Sequence, residues 1–353
     1  MYSLEIIDPV QDQRWNRFVN LHKNGRIYHS GNWKSVVEES FNHIQGFYFV
    51  LLKENMIHAA LPIFFVQSWI AGKKFVSIPF ATLCDPLISN IDEMYLLFDG
   101  VLQFSKRFKI KQIEIRTVNT SPILKQMEIL SESRYIHHYL PLQGKLETIY
   151  KNFHRSCIRQ RISRAEKSDI IINKENTEKE FLTFYNLYIM TRKRLGLPPQ
   201  PFLFIHNLWK KFSPHGQAKI VLAEKGQKSI AALLLLLFKK TVTAEFAVVN
   251  KQYDSISPLH LLFWNSIKYA KQENFNYFDF GRTALDNLGL INFKNRWGTE
   301  SIKLNFFYFP NSSLNKNIDI KSTFSYKLVN NIIKAAPKFV LNPIGKIMYS
   351  HYY

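Results

Sequence analysis

Two stretches of the chain share one hydrophobic pattern, in which two apolar runs flank a polar turn. Residues 47–69 read FYFVLLKENMIHAALPIFFVQSW, and residues 218–240 read AKIVLAEKGQKSIAALLLLLFKK. Short apolar runs bounded by turn residues are typical of buried strands. We therefore predict two antiparallel hairpins, with their turns at residues 53–55 and 225–227.

A second pair of matching stretches follows the hairpins in the same order. Residues 96–115 (LLFDGVLQFSKRFKIKQIEI) align without gaps to residues 261–280 (LLFWNSIKYAKQENFNYFDF). Each stretch carries apolar residues at helical spacing and then enters a strand that contains an acid, Glu114 or Asp279. This order predicts duplication of one mixed unit made of antiparallel strands, a helix and another strand. Chance similarity of amphipathic elements is the alternative.

The duplication predicts an α+β (mixed α/β) fold in two domains and a tail. The expected first domain covers residues 1–145, the second covers 146–310, and a helical tail covers 311–353. Pro337 and Pro343 are expected to break the tail into two short amphipathic helices. We expect the tail to pack on the first domain, and its basic, aromatic composition makes contact with the inner membrane face the alternative.

Charge narrows the class of partner. The 353 residues include 47 Lys and Arg against 27 Asp and Glu, a formal charge of +20. Such a balance favours an anionic partner, such as tRNA, a phosphorylated or lipid-linked precursor, or an anionic membrane face. A lysine-rich proteome is the alternative explanation.

Several features indicate a cytoplasmic protein without a metal site. Cys84 and Cys157 form no C-x-x-C pair, and the 11 histidines show no zinc spacing. The N-terminus MYSLEIIDPV differs from a signal peptide. The longest apolar run, residues 230–238, is far shorter than the roughly 20 residues of a membrane helix.

The stretch FDFGRTALDNLGLINFKNRWGTE, residues 278–300, concentrates candidate catalytic residues. Asp279 ends a predicted strand, Arg282 follows it, and Lys294 lies among aromatic residues. A cation held there can stabilise an oxyanion or a phosphate. The alternative is a structural salt bridge at the strand end, with Trp297 as a core anchor.

Basic residues elsewhere suggest anion binding. A predicted helix over residues 151–168 places Lys151, Arg155 and Arg159 at i, i+4 and i+8, on one face. Because nearby acids are scarce, a phosphate-binding face is favoured over a solvated one. Arg194 lies in a basic turn before a proline-rich loop, which alone is a weak signal.

The chain lacks the common signatures of phosphate loops and covalent catalysis. None of the 13 glycines is spaced as G-x-G, and no Walker-type loop or G-x-S-x-G elbow occurs. Direct transfer between two bound substrates is therefore expected rather than a covalent enzyme intermediate.

Several segments together resemble the FemABX-like transferases, a branch of the GNAT superfamily with two tandem GNAT-like domains. These segments are HSGNW (29–33), HRSCIRQRISRAEKS (154–168), RLGLPP (194–199), SPLHLLFWNSIKYAKQENFNYFDFGRT (257–283) and FKNRWGTE (293–300). The chain is most similar to the FemAB-related proteins of bacterial polysaccharide-export gene clusters. The segment from 257 to 300 is the specific part.

The resemblance implies transfer of an acyl or aminoacyl group to an amine on a cell-wall, glycan or lipid-linked precursor. It implies no tightly bound cofactor, with aminoacyl-tRNA favoured over acyl-CoA as the donor co-substrate. Phe293-Lys294 matches the family's Phe-Lys pair, so Lys294 is expected to stabilise charge, with Arg282 and Asp279 in support. The expected substrate contacts are Arg155, Arg159, Trp33, Arg194, Phe293 and Trp297.

The chain also departs from the family. It lacks the long helical-hairpin insertion of some bridge-forming members, and it lacks the pyrophosphate loop of acetyl-CoA-using GNAT enzymes. Two alternatives therefore stay open, namely an acetyl-CoA-dependent N-acetyltransferase of polysaccharide biosynthesis and a non-catalytic module that binds an anionic ligand on the same fold.

Overall fold

The computed structural model describes residues 1–68, 72–310 and 324–350, and these form two compact units. The described part of the first unit consists of residues up to 135, residues 303–310 and residues 347–350. The second unit consists of residues 136–302 and 324–346.

The first unit is a mostly antiparallel sheet with helices. Its strands lie in the order β1-β2-β3-β4-β5-β12, and only the β4–β5 pair is parallel among those whose register is described. The strands are β1 (Ser3–Ile7), β2 (Ile44–Lys53), β3 (Met56–Ser68), β4 (Gly72–Val76), β5 (Gln112–Thr117) and β12 (Glu300–Phe309, from residue 303). The helices are α1 (Gln13–Leu21), α2 (Gly31–Ser40), α3 (Ile91–Phe108) and α4 (Ser121–Leu124).

The second unit repeats this plan. Its strands lie in the order β6-β11-β10-β9-β8-β7, with a parallel β10–β11 pair. The strands are β6 (Ser131–Pro141, from residue 136), β7 (Ile171–Asn173), β8 (Ala218–Lys225), β9 (Lys228–Phe238), β10 (Thr241–Val249) and β11 (Tyr277–Ala284). The helices are α5 (Leu146–Asn152), α6 (Gln160–Glu166), α7 (Glu178–Leu195), α8 (Phe202–Phe212), α9 (Pro258–Gln272), α10 (Leu288–Asn295) and α11 (Phe324–Ala335). Helix α12 (Lys338–Tyr349) belongs to this unit up to residue 346.

Both predicted hairpins are confirmed. Strand β2 turns into β3 through Glu54 and Asn55, both with positive φ, as the tight turn of a two-residue hairpin requires. Strand β8 turns into β9 through Gly226 and Gln227. In each pair the apolar runs form the two buried strands of the hairpin.

The helix–strand echo also has a structural counterpart. In each unit a parallel strand pair is joined through a helix, α3 between β4 and β5 and α9 between β10 and β11. Parallel neighbours require such a crossover. The α+β fold class and its duplication are therefore present in the structure.

The division of the chain differs from the expected boundary at residue 145 and the expected end of the second domain at 310. Residues 305–309 of β12 pair with β5, and Phe307 is buried in the core of the first unit. Leu140 of β6 is buried in the core of the second unit. Each unit boundary lies where the apolar side chains change from one core to the other. The order of residues along the chain does not reveal this change.

The tail also differs from its expected packing on the first domain, although residues 311–323 and 351–353 lie outside the described part. Helix α11 packs against α7, and Asn330 donates to the Leu195 carbonyl at 3.2 Å. Gly345 lies against Pro199, and only the end of α12 belongs to the first unit. The expected break at Pro343 is absent, because α12 continues through it while Leu341 and Gly345 stay buried. Among the described residues, no helix is both long and apolar enough to cross a membrane.

Candidate active site

Strand β11 separates apolar and polar side chains by alternation. Phe278 and Phe280 are buried in the core of the second unit. Asp279 between them points to the opposite face, and its carboxylate is only 2% exposed. The strand therefore places one acidic side chain, that of Asp279, on the face opposite to the two phenylalanines.

Three groups hold the Asp279 carboxylate. The His137 ring nitrogen Nε2 lies 2.8 Å from Oδ1, the Gly281 amide donates to the same oxygen at 2.6 Å, and the Thr243 hydroxyl lies 3.5 Å from Oδ2. Burial opposes ionisation, but His137, the Gly281 amide and Lys294 outweigh it, so the pKa of the Asp279 carboxyl is lowered. The carboxylate is therefore a buried anion that already accepts hydrogen bonds, and it is a weak base.

Gly281 turns the strand at this point. Its φ is +72°, which disfavours any residue with a Cβ, and a Cβ built there would meet no atom within 4 Å. The glycine thus supplies an unusual backbone direction and leaves open space beside it. The carbonyls of Gly281 and Arg282 face the side chain of Lys294.

Lys294 is buried near the end of α10, a helix whose first turn is capped by the Asn287 side chain. Its ammonium donates to the Gly281 carbonyl at 2.9 Å and to the Arg282 carbonyl at 3.2 Å. Burial lowers the pKa of Lys294 to about 8, and Asp279 opposes the shift. The group therefore remains mainly protonated at neutral pH, and an ammonium has three N–H donors.

The aromatic residues around Lys294 form its packing shell. Trp297 is fully buried, with its ring 5.1 Å from Phe153 and 5.6 Å from Phe263. Phe293 is half-buried and lies edge-on to His260. Trp297 is thus a core anchor that holds the end of α10, and the expected substrate contact through it is not supported.

Trp33 is likewise a core residue. It is fully buried in the first unit, where its Nε1 donates to the Pro79 carbonyl at 3.2 Å and its ring packs edge-on against Tyr28. An enclosed indole whose N–H is already satisfied offers no surface to a substrate. The family motif HSGNW therefore marks a packing position in this chain.

The predicted basic helix over residues 151–168 is not continuous, which corrects the expected charged stripe. Helix α5 ends at Asn152, Phe153 enters the core, and residues Arg155–Arg159 form a π-helical turn before α6. The Arg159 amide bonds to the His154 carbonyl at 3.2 Å, a spacing of five residues. The i, i+4 geometry that would stack Lys151, Arg155 and Arg159 is therefore lost. Single π-helical turns recur at functional sites.

The arginines differ in exposure. Arg155 is exposed, whereas Arg159 is half-buried and its Nε has no hydrogen-bond partner within the described chain. Arg194 is exposed in the last turn of α7, and no described contact joins it to Lys294. Arg282 is half-buried, and its carbonyl is the group that contacts Lys294.

An open polar cleft adjoins α10. It is lined by Asn152, His154, Asn292, Asn295 and Arg296. Asn295 and Arg296 directly follow Lys294, and His154 directly precedes Arg155. Amide, imidazole and guanidinium groups suit a polar or phosphorylated ligand.

Sequence reasoning missed the histidines of β6. His137 binds Asp279, and the pKa of the neighbouring His138 is lowered to about 4 by burial and by Lys294. The only available signal was the adjacent histidine pair inside an apolar, strand-like segment. Pairing between distant strands is not readable from one sequence.

Within the described residues, no group of three or more His, Cys, Asp or Glu side chains is arranged to hold a metal ion.

Comparisons with known proteins agree with this architecture. The acetyltransferase (GNAT) domain family matches residues 152–295, which include the π-helical turn and Lys294. The structure of FemX superposes with a TM-score of 0.70 at 14% identity, covering 90% of this chain and 99% of that one. No curated protein sequence matches significantly.

Two further structures share the fold. The C-terminal domain of a putative lysylphosphatidylglycerol synthetase from Agrobacterium fabrum matches with a TM-score of 0.55 at 12% identity, covering 86% of this chain and 93% of that one. L-PGS from Bacillus licheniformis matches with a TM-score of 0.53 at 15% identity, covering 79% and 87%. Residues 152–295 therefore match the acetyltransferase (GNAT) domain family and the chain shares the fold of FemX, so the resemblance seen in the sequence is confirmed at that level.

Proposed function

We propose that the protein is an N-acyl or aminoacyl transferase that uses Lys294 to stabilise the oxyanion of the reaction. An amine attacks the carbonyl of an activated ester, a C–N bond forms, and the C–O bond to the leaving alcohol breaks. The amine loses one proton, and the leaving oxygen gains one. No covalent bond to the enzyme is needed.

One observation carries the proposal, the buried ammonium of Lys294 held against the backbone turn at Gly281. Two of its donors are anchored on the Gly281 and Arg282 carbonyls, so the group is pre-oriented before a substrate arrives. A cation in a water-poor site stabilises developing negative charge strongly, because little reorganisation is required. The third N–H is the donor for the oxyanion.

Asp279 serves as a charge-balancing and orienting group in this scheme. Its carboxylate is occupied by His137 and by the Gly281 amide, and its pKa is lowered. Such a group holds the strand end in place more effectively than it accepts the proton of an amine. The geometry therefore favours an orienting role for Asp279 over acceptance of the amine's proton.

The donor proposed is aminoacyl-tRNA, and the acceptor is an amine on a cell-wall, glycan or lipid-linked precursor. The formal charge of +20 and the cleft lined by His154 and Arg296 support an anionic substrate. Arg155 is exposed and directly follows His154, which lines this cleft. The ester chemistry is implied by the FemABX-like resemblance.

A second candidate is an acetyl-CoA-dependent N-acetyltransferase. The match of residues 152–295 to an acetyltransferase (GNAT) domain favours it. The absence of a G-x-G spacing among the 13 glycines weighs against it.

The deciding experiment offers purified protein a charged tRNA pool and an acyl-CoA pool separately, each with a mixture of amine acceptors. Mass spectrometry would then look for new amides. We expect aminoacyl transfer from charged tRNA only. Acetyl transfer from the CoA pool would favour the second candidate. Binding of tRNA without turnover from either pool would indicate a non-catalytic module.

We further propose the tail as the place of peripheral contact with an anionic membrane face. Phe339 is 80% exposed, beside exposed Lys338, and Leu328 and Ile332 are each about half exposed on α11. Co-sedimentation with anionic vesicles should decrease in Phe339→Ser. Equal sedimentation of both proteins, or equal sedimentation with neutral vesicles, would contradict the contact.

A further inference from the structure

A second cavity lies in the second unit, away from the residues assigned to the transfer reaction. It opens between the start of β8, the middle of α9 and the turn at residues 213–216. Its volume is about 170 Å³, and neither Asp279 nor Lys294 lines it. The proposed transfer chemistry therefore leaves this cavity unexplained.

The wall of the cavity includes Ser266, whose buried hydroxyl lacks a hydrogen-bond partner in the described chain. Ser266 lies on the inner face of α9 and is 3% exposed. A buried hydroxyl without a partner is costly, and native structures rarely retain one without a reason. Because Ser266 lines the cavity, an occupant can supply the missing hydrogen bond.

Lys219 adds a positive charge. Its ammonium donates to the Tyr269 hydroxyl at 2.7 Å and lies 4.5 Å from the centre of the same ring. Both residues line the cavity, as does the exposed Lys174, and no Asp or Glu does. The polar end of the cavity therefore carries uncompensated positive charge and favours an anion.

Part of the remaining wall is apolar and is formed by Ala218, Ile220 and Leu235, which are all buried. The polar residues Asn176, Ser213 and Asn265 also line the cavity. A dry cavity of about 150 Å³ is large enough for benzene, so about 170 Å³ admits a ligand of roughly benzoate size. An apolar body and one small anionic head fit these walls.

We propose that this cavity is a binding site for a small free monocarboxylic acid with an apolar body, such as an aromatic or medium-chain acid. The carboxylate binds Lys219 and accepts a hydrogen bond from Ser266, and the body packs on Ile220 and Leu235. The site is distinct from the transfer site and does not depend on the proposed function.

The test uses the full-length protein with benzoate and hexanoate as probes, and with benzamide as the uncharged control. Saturation-transfer NMR and calorimetry would measure affinity. We expect saturable binding of at least one acid and much weaker binding of benzamide. Lys219→Met should weaken the acid by about tenfold, because it removes a charge-assisted hydrogen bond. Lys228→Met, an exposed lysine in the neighbouring hairpin, should change nothing.

Ser266→Ala gives an independent arm, because it removes a hydroxyl that has no partner in the protein. The unliganded variant should melt at or above the wild-type temperature, while its affinity for the acid falls by about threefold. Absence of saturable acid binding would overturn the proposal. So would equal affinity for benzamide and benzoate, or affinity unchanged by both Lys219→Met and Ser266→Ala.

Discussion

Strands β5 and β11 occupy equivalent places in the two units, yet they treat their buried acids differently. In β5, Glu114 forms a 2.7 Å ion pair with Arg116, two residues further along the same strand. When the gapless alignment is extended by one residue, Gly281 occupies the place of Arg116. In β11, Asp279 is held instead by the Gly281 amide and by His137 from another strand.

The hydrogen bonding around the C-terminal part of each strand also differs between the two units. After β5, the buried Asp85 carboxylate accepts hydrogen bonds from the Thr117 hydroxyl and from the amides of Val118 and Thr120, which closes the strand end. Within β11, the backbone turns at Gly281, and the carbonyls of Gly281 and Arg282 accept hydrogen bonds from Lys294. The first arrangement pairs the acid within its own strand, whereas the second holds a buried ammonium on backbone carbonyls beside a glycine with no atom within 4 Å of its Cβ position.

The comparison indicates that the two units share one duplicated scaffold. A single residue position, Arg116 in β5 and Gly281 in β11, distinguishes the two arrangements around the acid. An arginine at that position neutralises the acid from within the strand. A glycine leaves the positive charge to come from Lys294 of α10, the proposed oxyanion donor. Five predictions follow from this difference, ordered by expected effect.

The largest effect should come from breaking the closed pair. Arg116→Met leaves Glu114 buried without its ionic partner, which typically costs about 3–5 kcal/mol. Chemical denaturation monitored on the first unit would measure the loss in free energy of unfolding. The matched control is Arg134→Met, which removes a partly exposed pair with Glu132 and should cost about 1 kcal/mol or less. Equal losses in both variants would contradict the buried role of Glu114–Arg116.

Lys294→Met should reduce turnover by about 10²- to 10³-fold, because it removes the oxyanion donor while keeping an unbranched chain in the buried site. The rate of amide formation and circular dichroism melting would be measured together. Lys228→Met, which changes an exposed lysine of the same unit, is the control and should retain full activity. Near-normal turnover in a folded Lys294→Met protein would remove Lys294 from the mechanism.

Gly281→Ala should destabilise the second unit by about 1–2 kcal/mol, because an L-residue is strained at a φ of +72°. It should also lower activity, since the carbonyl that anchors Lys294 would move. Gly226→Ala is a matched control, with a φ of +58° in a hairpin turn and similarly open surroundings. We expect equal loss of melting temperature in the two variants and loss of activity only at Gly281. Loss of activity in both would show that strain alone is responsible.

The titration of Lys294 should affect the reaction rate and the free energy of unfolding in opposite directions. The pKa of Lys294 is lowered to about 8, so the protonated donor predominates below that pH. The ratio of wild-type to Lys294→Met rates should fall about tenfold per pH unit above about 8, and using the ratio cancels the titration of the amine substrate.

Stability should move the other way between pH 8 and the ordinary lysine pKa of 10.5, because the unfolded chain binds more protons there than the folded one. The free energy of unfolding of wild type relative to Lys294→Met should therefore rise with pH in this window. A rate ratio that is flat from pH 7 to pH 10 would contradict a protonated Lys294 as the donor.

The smallest effect should come from the exposed arginines. Arg155→Gln should raise the KM for an anionic substrate by about two- to fivefold with little change in kcat, as expected for an exposed charge worth at most about 1 kcal/mol. Arg194→Gln, at the end of α7, is the comparison and should have a weaker effect. An equal rise in KM for both variants would indicate general charge attraction and no local contact at Arg155.

Much of the scaffold was predictable from local patterns. The hairpins at 47–69 and 218–240 and the helix-then-strand repeat all appear in the structure. Each depends on periodicity within a short window, where neighbouring residues determine the outcome. Lys294 was identified from the Phe-Lys pair of the resembling family and stays a predicted catalytic residue.

Other expectations failed where the outcome depended on packing. The basic helix over 151–168 is interrupted because Phe153 is drawn into the core against Trp264 and Trp297. Trp33 and Trp297 carry family motifs, yet both are fully buried. In each case burial of a large aromatic side chain removes a large apolar area from water, which stabilises the fold.

The repeated α+β plan, the excess of positive charge and a lysine 15 residues after the acid of a predicted strand can all be read from the amino-acid sequence. Hydrophobic periodicity and composition are local properties, so they are readable along the chain. The contact of His137 with Asp279, the hydrogen bond from Lys294 to the Gly281 carbonyl and the pairing of β12 with β5 became visible only in the folded structure. Those contacts join residues far apart in the chain, and they form because buried charges and backbone groups must find partners wherever the fold brings them.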